Sequence, residues 1–372
     1  MSFKVFTKSD ESLARLGKLE TGHGDLQTPF FMPIATQGAI KGITSAELVS
    51  IGAQIALSNT YHLWLRPGED IIAKAGGLHK FMRWNKPILT DSGGYQVFSL
   101  AKMRKLQSDG VEFQSHLNGE KRFLTPEKAI AIQHKLGSDI MMVLDECAPF
   151  PCTREQAEKA VTRTTNWGRI SKLKIKSSKE AQNPKSKTFG IVQGSVYKDL
   201  RLKSARELVG LDFDGYAIGG LAVGEPEKNM YEVLDYTVPE LPEAKPRYLM
   251  GVGYPHQIVE AVKRGIDMFD CVLPTRNARH GSLFIGGSEK QLWEGESYAV
   301  LRIKNDKYKA DFEVLDKNCD CPTCQAGYTR AYLRHLLVAK EPLYIRLATL
   351  HNLRFYLKLM AKIREQIKSG QL

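Results

Sequence analysis

Short apolar, β-branched runs alternate with helical patterns along most of this chain, and that alternation limits the folds open to it. The runs are Phe30–Ala35, Gln54–Tyr61, Pro87–Ser92, Asp139–Glu146, Phe189–Gly194, Gly215–Gly220, Arg247–Gly253 and Met268–Leu273. They are hydrophobic almost throughout, as parallel strands covered by helices are. Helical patterns lie between them at Pro126–Leu136, Thr153–Ser171, Val196–Gly210 and Pro255–Gly265. Eight strand–helix units over roughly 250 residues predict an α/β fold of the (β/α)8 TIM-barrel type. An open doubly wound sheet is the competing arrangement.

Two segments break the repeat. Residues 110–124 read as a hairpin turning at Asn118-Gly119, inserted after the third strand. Residues 285–355 carry a cysteine cluster between the eighth strand and a last amphipathic helix that begins near Asn352. We therefore expect a catalytic barrel of residues 1–284 and 352–372, with a zinc-binding subdomain of residues 285–351 inserted near the C-terminus.

The chain has 53 basic and 41 acidic residues and a formal charge of +12. Such an excess serves solubility or a polyanionic partner, and charge alone does not separate RNA, DNA and an acidic small molecule. No stretch reaches the roughly 20 apolar residues of a membrane span. The first residues, Met1 to Lys8, lack the apolar core of a signal peptide. A cytoplasmic protein with no membrane association is expected.

In a barrel, the C-terminal strand ends build the active site. Here they read Thr90-Asp91-Ser92-Gly93-Gly94-Tyr95, Leu144-Asp145-Glu146-Cys147, Val192-Gln193-Gly194, Gly219-Gly220-Leu221, Met250-Gly251-Val252-Gly253 and Phe269-Asp270. Arg276, Arg279 and His280 follow Asp270, as suits a carboxylate working beside a polyanion. One Asp after an apolar run is ordinarily a turn residue, but three at matching points of a repeat are harder to explain that way. Asp145 and Gln193 can read the edge of a planar heterocycle. Gly219-Gly220 can bring backbone N–H groups close to a carbonyl. Tyr95 and Met250 could sandwich the ring, or simply pack. Asp91 and Asp270 match a retaining glycosyl transfer, one attacking the anomeric carbon and the other handling protons. Gly251-Val252-Gly253 lacks the third glycine of a dinucleotide fingerprint, so the helix start at Gly251–Gln257 is better read as a site for one phosphate.

Cys319, Cys321 and Cys324 are spaced like metal ligands. Three thiolates need a fourth ligand to close a tetrahedral zinc site, and His335 and His351 are the nearby choices. His335 lies mid-helix, where a surface histidine is the default. His351 is favoured because folding the last helix back would bring it to the cysteines. A closed set leaves no open position, so one structural Zn2+ is expected.

The motifs Thr28-Pro29-Phe30-Phe31-Met32-Pro33, Leu57-Ser58-Asn59-Thr60-Tyr61-His62-Leu63, Thr90-Asp91-Ser92-Gly93-Gly94-Tyr95-Gln96-Val97, Gly190-Ile191-Val192-Gln193-Gly194, Gly219-Gly220-Leu221-Ala222-Val223-Gly224-Glu225 and Phe269-Asp270-Cys271-Val272-Leu273-Pro274-Thr275-Arg276 are long and specific. Over nearly its whole length the chain resembles bacterial-type tRNA-guanine transglycosylase, also called queuine tRNA-ribosyltransferase. The resemblance implies a (β/α)8 barrel with a zinc subdomain, a homodimer, and no nucleotide or redox cofactor. It implies exchange of guanine 34 in GUN anticodons for the 7-deazaguanine base preQ1, 7-aminomethyl-7-deazaguanine, in queuosine biosynthesis. Asp270 would be the nucleophile on C1′ and Asp91 the proton acceptor and donor. Asp91, Ser92, Gly93, Gly94, Tyr95, Asp145, Gln193, Gly220, Leu221 and Met250 would form the base pocket, with Leu221 on the aminomethyl side. Gly251, Val252, Gly253, Tyr254, Pro255, His256 and Gln257, with Thr275, Arg276, Asn277, Ala278 and Arg279, would hold the RNA. Cys147 and Val223 match the bacterial small-substrate pattern, although direct use of queuine stays open.

Two other classes compete. A retaining glycoside hydrolase on the same barrel predicts stacking tryptophans at the rim, where of Trp64, Trp84, Trp167 and Trp293 only Trp64 lies near a strand end. A non-catalytic RNA-binding subunit would be expected to lack the nucleophile, yet Asp270 and Asp91 are both present.

Overall fold

The computed structural model describes residues 3–100, 104–177, 183, 185–286 and 298–372. Its largest sheet is parallel, built from β1 (Phe30–Met32 and Ile34–Ala35), β2 (Ala56–Ser58), β3 (Ile88–Thr90), β4 (Ile140–Met142), β5 (Lys187–Val192), β6 (Gly215–Ile218), β7 (Arg247–Leu249) and β8 (Met268–Asp270). The sheet has nine segments, but the two pieces of β1 are one strand interrupted at Pro33, which leaves eight strands. Pro33 has no N–H to donate, yet its carbonyl still accepts from Leu57 N at 2.9 Å. Phe30–Met32 pairs with Met268–Asp270, and Ile34–Ala35 pairs with Leu57–Ser58, so the ladder meets itself. That closure excludes the open doubly wound sheet.

The strands are shorter than the apolar runs that predicted them. The run Asp139–Glu146 is strand only over Ile140–Met142, and its last residues turn onto the rim. Phe31, Leu57, Leu89, Met142, Ile191 and Leu249 belong to one apolar cluster, and Ala35, Ala56, Ile88 and Leu144 to a second. Each of the larger side chains contributes about 1.5–3 kcal/mol by leaving water.

Three elements were not foreseen. An antiparallel sheet of Phe3–Lys8, Arg15–Thr21 and Gly24–Thr28 precedes the barrel. It reaches the N-terminal end of β8, where Arg15 meets Asp267. The hairpin after β3 gains a third strand, Arg104–Leu106, beside Val111–Gln114 and Lys121–Leu124. Its loop is residues 115–120, longer than a two-residue turn, with Gly119 at φ +74°. Ser282–Gly286 pairs with Tyr298–Arg302 over a separate apolar cluster that includes Leu283, Leu301, Leu315, Leu333 and the three clustered cysteines.

The last helix begins at Pro342, not near Asn352, and runs to Lys368. Its first half packs into the cysteine-bearing cluster through Tyr344, Leu347 and Ala348. Its second half packs on the barrel through Tyr356, Leu359, Met360 and Ile363. Among the described residues no helix is long and apolar enough to cross a membrane.

Asp267 sits just before β8 and is fully buried. Its carboxylate takes Arg15 Nε at 3.0 Å, Arg15 Nη2 at 2.6 Å and Arg247 N at 2.8 Å. Asp267→Ala would strand the buried Arg15 guanidinium and should lower unfolding free energy by about 3–5 kcal/mol. A urea midpoint equal to that of the wild type would contradict this account.

Candidate active site

Asp270 is the last residue of β8 and stands half-buried on the rim. Its Oδ1 accepts from the Tyr248 hydroxyl at 2.5 Å and from Gly251 N at 2.8 Å. Gly251 adopts φ +74°, which glycine tolerates without strain. Among the described residues nothing hydrogen-bonds Oδ2. Burial raises the Asp270 pKa above the usual carboxylate range, and the two hydrogen bonds oppose that rise. Tyr248 is buried beside this carboxylate, so its phenol stays protonated as a donor.

Asp91 follows β3. Its Oδ1 accepts from Thr60 N at 2.9 Å and Gly93 N at 3.2 Å, and its Oδ2 accepts from Asn59 Nδ2. Asn59 is held by its own helix, because its Oδ1 caps His62 N at 3.0 Å. Despite these donors the Asp91 carboxyl is pushed up to about 7, first by burial and then by the charges of Asp270 and Asp145.

Asp145 leaves β4 and is buried. Its Oδ1 accepts from Ser92 Oγ at 3.2 Å and its Oδ2 from Gln193 Nε2 at 2.8 Å. Burial pushes its carboxyl up to about 6, against those hydrogen bonds. Gly219 and Gly220 lie against the Gln193 amide, and a Cβ at Gly219 would come within 2.7 Å of Nε2. Gly220 also has φ +64°, so a side chain there would be strained as well as crowded. Leu221 is buried beneath. Cys147 is partly buried, and desolvation followed by the Asp145 charge raises its thiol to about 12, so it stays neutral.

Arg201 is fully buried, and among the described residues its guanidinium has no carboxylate within ion-pair distance. Its guanidinium donates to the carbonyls of Ser195 (2.7 Å), Val192 (3.0 Å), Gly219 (2.7 Å) and Gly220 (3.2 Å). It ties the ends of β5 and β6 together under the Gln193–Gly220 corner. Burial lowers its pKa to about 10, which still leaves it charged at neutral pH.

A family model described as queuine tRNA-ribosyltransferase matches residues 10–372. The chain belongs to that family. Proteins named queuine tRNA-ribosyltransferase share its full length: one from Pelotomaculum thermopropionicum is 54% identical over 372 residues, covering 100% of this chain and 96% of the relative. One from Caldanaerobacter subterraneus is 53% identical over 372 residues, covering 100% and 95%. One from Listeria innocua is 52% identical over 370 residues, covering 100% and 93%.

The residues expected to touch RNA divide by exposure. Gly251, Tyr254 and Arg276 are exposed, and His256, Gln257, Asn277 and Arg279 are half-buried. Val252, Gly253, Pro255, Thr275 and Ala278 are buried, so they support the loop rather than face solvent. His256 Nε2 and Gln257 Nε2 each lie 3.0 Å from Glu227 Oε2. Among the base-pocket residues, Tyr95 is 53% exposed and Met250 half-buried. Trp64, Trp84 and Trp167 are buried, and Trp293 lies outside the described residues. No described tryptophan is thus free to stack a sugar.

Sequence reading missed Asn59, Thr60, Tyr248 and Arg201. Asn59 and Thr60 lie within the second run, just past the strand Ala56–Ser58, and inspecting that strand end would have found them. Tyr248 sits inside an apolar strand and Arg201 inside an ordinary amphipathic helix, so neither left a local signal.

Cys319, Cys321, Cys324 and His351 are all buried, and their ligand atoms lie within 4.8 Å of one another. His351 Nδ1 is 3.7 Å from Cys321 Sγ and 3.4 Å from Cys324 Sγ, while its Nε2 faces the Phe284 carbonyl at 2.7 Å. His335 is exposed on another helix, so His351 is the fourth group. The cluster could hold one metal ion. Cys321→Ser should lose that ion and lower the melting temperature; full metal content at unchanged melting temperature would contradict a structural site.

Proposed function

We propose that this chain exchanges guanine 34 of tRNAs with GUN anticodons for 7-aminomethyl-7-deazaguanine, through a covalent enzyme–RNA intermediate, in queuosine biosynthesis. The observation that carries the reading is Asp270, with one carboxylate oxygen held by Tyr248 and Gly251 and the other unengaged. Oδ2 attacks C1′ of guanosine 34, the C1′–N9 bond breaks, and guanine leaves as its N9 takes the proton held by Asp91. The incoming base then attacks C1′ through N9, its N9 proton passes to Asp91, and the C1′–Oδ2 bond breaks. Two displacements at one carbon retain its configuration.

Asp145, Gln193 and Gly220 read the base edge, with Ser92, Gly93, Gly94 and Leu221 shaping the pocket and Tyr95 and Met250 flanking the ring. The target base must leave its stack, and Tyr95 offers an exposed ring to replace that contact. Arg276 and the Gly251–Gln257 loop bind the anticodon backbone, with Thr275, Asn277, Ala278 and Arg279 supporting them. Val223 and Cys147 favour the small base over queuine. The enzyme works in the cytoplasm as a homodimer.

The Cys319–Cys321–Cys324–His351 set is a structural Zn2+ site. Around a tetrahedral zinc, sulfur and nitrogen ligands lie roughly 3.6 Å apart. The 3.4 and 3.7 Å separations here fit that spacing. These residues hold the ion between the Cys319–Cys324 loop and the last helix. When bound, it supplies cross-linking and no chemistry at the rim. Residues 285–351 form the zinc subdomain on the barrel of residues 1–284 and 352–372.

Purified protein incubated with unmodified GUN tRNA and radiolabelled guanine should place label in the tRNA; no incorporation would sink the enzyme reading. Competing unlabelled preQ1 and queuine then ranks the two bases. Asp270→Asn should form no denaturant-stable adduct, and an adduct that persists would move the nucleophile to Asp91.

The pH dependence follows from Asp91. Its carboxyl keeps a proton up to about pH 7 in the folded protein, while an unfolded Asp loses it near pH ~4. Exchange should fall as pH rises above about 7, where Asp91 loses the proton that the leaving base needs, and that break should vanish in Asp91→Asn. Stability should fall as pH rises from about 4 to about 7, because over that range the folded state keeps a proton the unfolded state has lost. Asp91→Asn should flatten that loss, and an unchanged pH–stability curve would count against the raised value.

A further inference from the structure

Beside Asp270, three rings from two parts of the chain form a column. Tyr254 caps the helix Pro255–Lys263, His256 lies in its first turn, and Tyr298 begins the strand Tyr298–Arg302. The rings of Tyr254 and His256 lie 5.8 Å apart with planes 26° from parallel, and those of His256 and Tyr298 lie 6.4 Å apart at 9°. Both nitrogens of His256 are engaged, Nε2 at 3.0 Å from Glu227 Oε2 and Nδ1 at 3.2 Å from the Tyr298 hydroxyl. The imidazole therefore cannot turn freely, and it gives Tyr254 a fixed backing. Glu227 is held in turn by Gln257 Nε2 at 3.0 Å and by the Tyr231 hydroxyl at 2.6 Å. At the foot of the column, Tyr298 meets Phe284 and Phe355 at ring separations of 5.8 and 6.2 Å. The loop itself is anchored by the Tyr356 hydroxyl, which donates to the Gly253 carbonyl at 2.5 Å.

The top of the column is bare. Tyr254 is 47% exposed, and among the described residues its one ring contact is His256 and its hydroxyl has no partner. Gly251 donates its N–H to Asp270 Oδ1 at 2.8 Å. Three residues span at most roughly 11 Å, so Tyr254 stays close to that contact. Its rigid support removes in advance the rotamer entropy that a stacking contact would otherwise cost.

We propose that the outer face of Tyr254 stacks on the nucleobase adjacent to guanosine 34, on one side of it, and holds that neighbour while the target base is out of the stack. Extruding one base leaves each neighbour with an uncovered face, and an aromatic side chain restores the lost contact. Tyr95, which follows β3, is left to flank the target ring. Stacking engages a base by its face and not by its edge, so this contact places the strand and leaves the choice of target to Asp145 and Gln193. The proposal rests on base exchange as the activity and adds a base contact to the backbone contacts of the same loop. His256 and Tyr298 are positioning residues that act through Tyr254.

The test measures affinity for a GUN anticodon stem-loop at one fixed salt concentration. The RNA is used intact, or with an abasic residue in place of the base before or after guanosine 34. Tyr254→Ala should bind the intact RNA roughly tenfold more weakly, as expected for losing one base–aromatic stack. Tyr254→Phe keeps the ring and should restore most of that loss. One of the two abasic RNAs should bind the wild type roughly tenfold more weakly. The same RNA should bind Tyr254→Ala no worse than intact RNA does, because both changes remove one contact. His256→Ala should weaken the wild type and add nothing to Tyr254→Ala. Full affinity in Tyr254→Ala would overturn the proposal. So would losses that add for both abasic RNAs, because the ring would then act on the loop and not on a base. Guanine exchange by the same wild-type preparation reports separately on the activity. Exchange without this coupling removes the stack and leaves base exchange standing; coupling without exchange overturns base exchange alone.

Discussion

The pairing of Phe30–Met32 with Met268–Asp270 closes the parallel ladder, and the rest of the molecule depends on that closure. A closed parallel sheet has no edge, and it points every strand end of one polarity at the same rim. Asp91, Asp145, Gln193, Gly220 and Asp270 come from five strand ends and are brought together by this geometry alone. The break at Pro33 lets β1 serve β8 with one segment and β2 with the other. Arg201 then ties the ends of β5 and β6 beside Gln193 and Gly220.

The two ends of the barrel treat carboxylates in opposite ways. At the N-terminal end, Asp139, Asp214 and Asp267 each accept the N–H of a residue at the start of a neighbouring strand: Ile88, Thr188 and Arg247. They finish the ladder. For Asp139 the hydrogen bonds outweigh burial, and its pKa is lowered. At the rim the balance reverses. Asp91, Asp145 and Asp270 are desolvated, charged groups crowd Asp91 and Asp145, and all three pKa values are raised. Among the described residues Asp270 keeps one oxygen without a hydrogen bond, whereas both oxygens of Asp91 and of Asp145 are engaged.

The C-terminal helix joins two cores. It contributes Tyr344 and Leu347 to the cysteine-bearing cluster, His351 to the cysteines themselves, and Tyr356 and Ile363 to the barrel. Asn352, one residue beyond the ligand, donates to the carbonyls of Pro274 and Ser282 and accepts from Phe284 N. Those bonds connect the cluster to the segment that follows Asp270. Anything that loosens the cluster is therefore felt close to Asp270.

By itself the sequence determined the class of fold, the three rim carboxylates and the clustered cysteines. Eight apolar runs separated by helical patterns point to strands covered by helices, strand-end residues need no tertiary knowledge to be found, and the cysteines are neighbours along the chain. Tertiary structure alone decided which histidine joins the cysteines, because a continuous helix from Pro342 puts His351 inward and leaves His335 exposed. It also decided the partners of the carboxylates. Tyr248 reads as a core residue, Arg201 as a helix-surface residue, and the Arg15–Asp267 pair spans 252 positions. Local pattern records which groups prefer burial. It does not record which distant groups will meet there, and those meetings set the desolvation, hydrogen bonding and charge on which the chemistry at Asp270 rests.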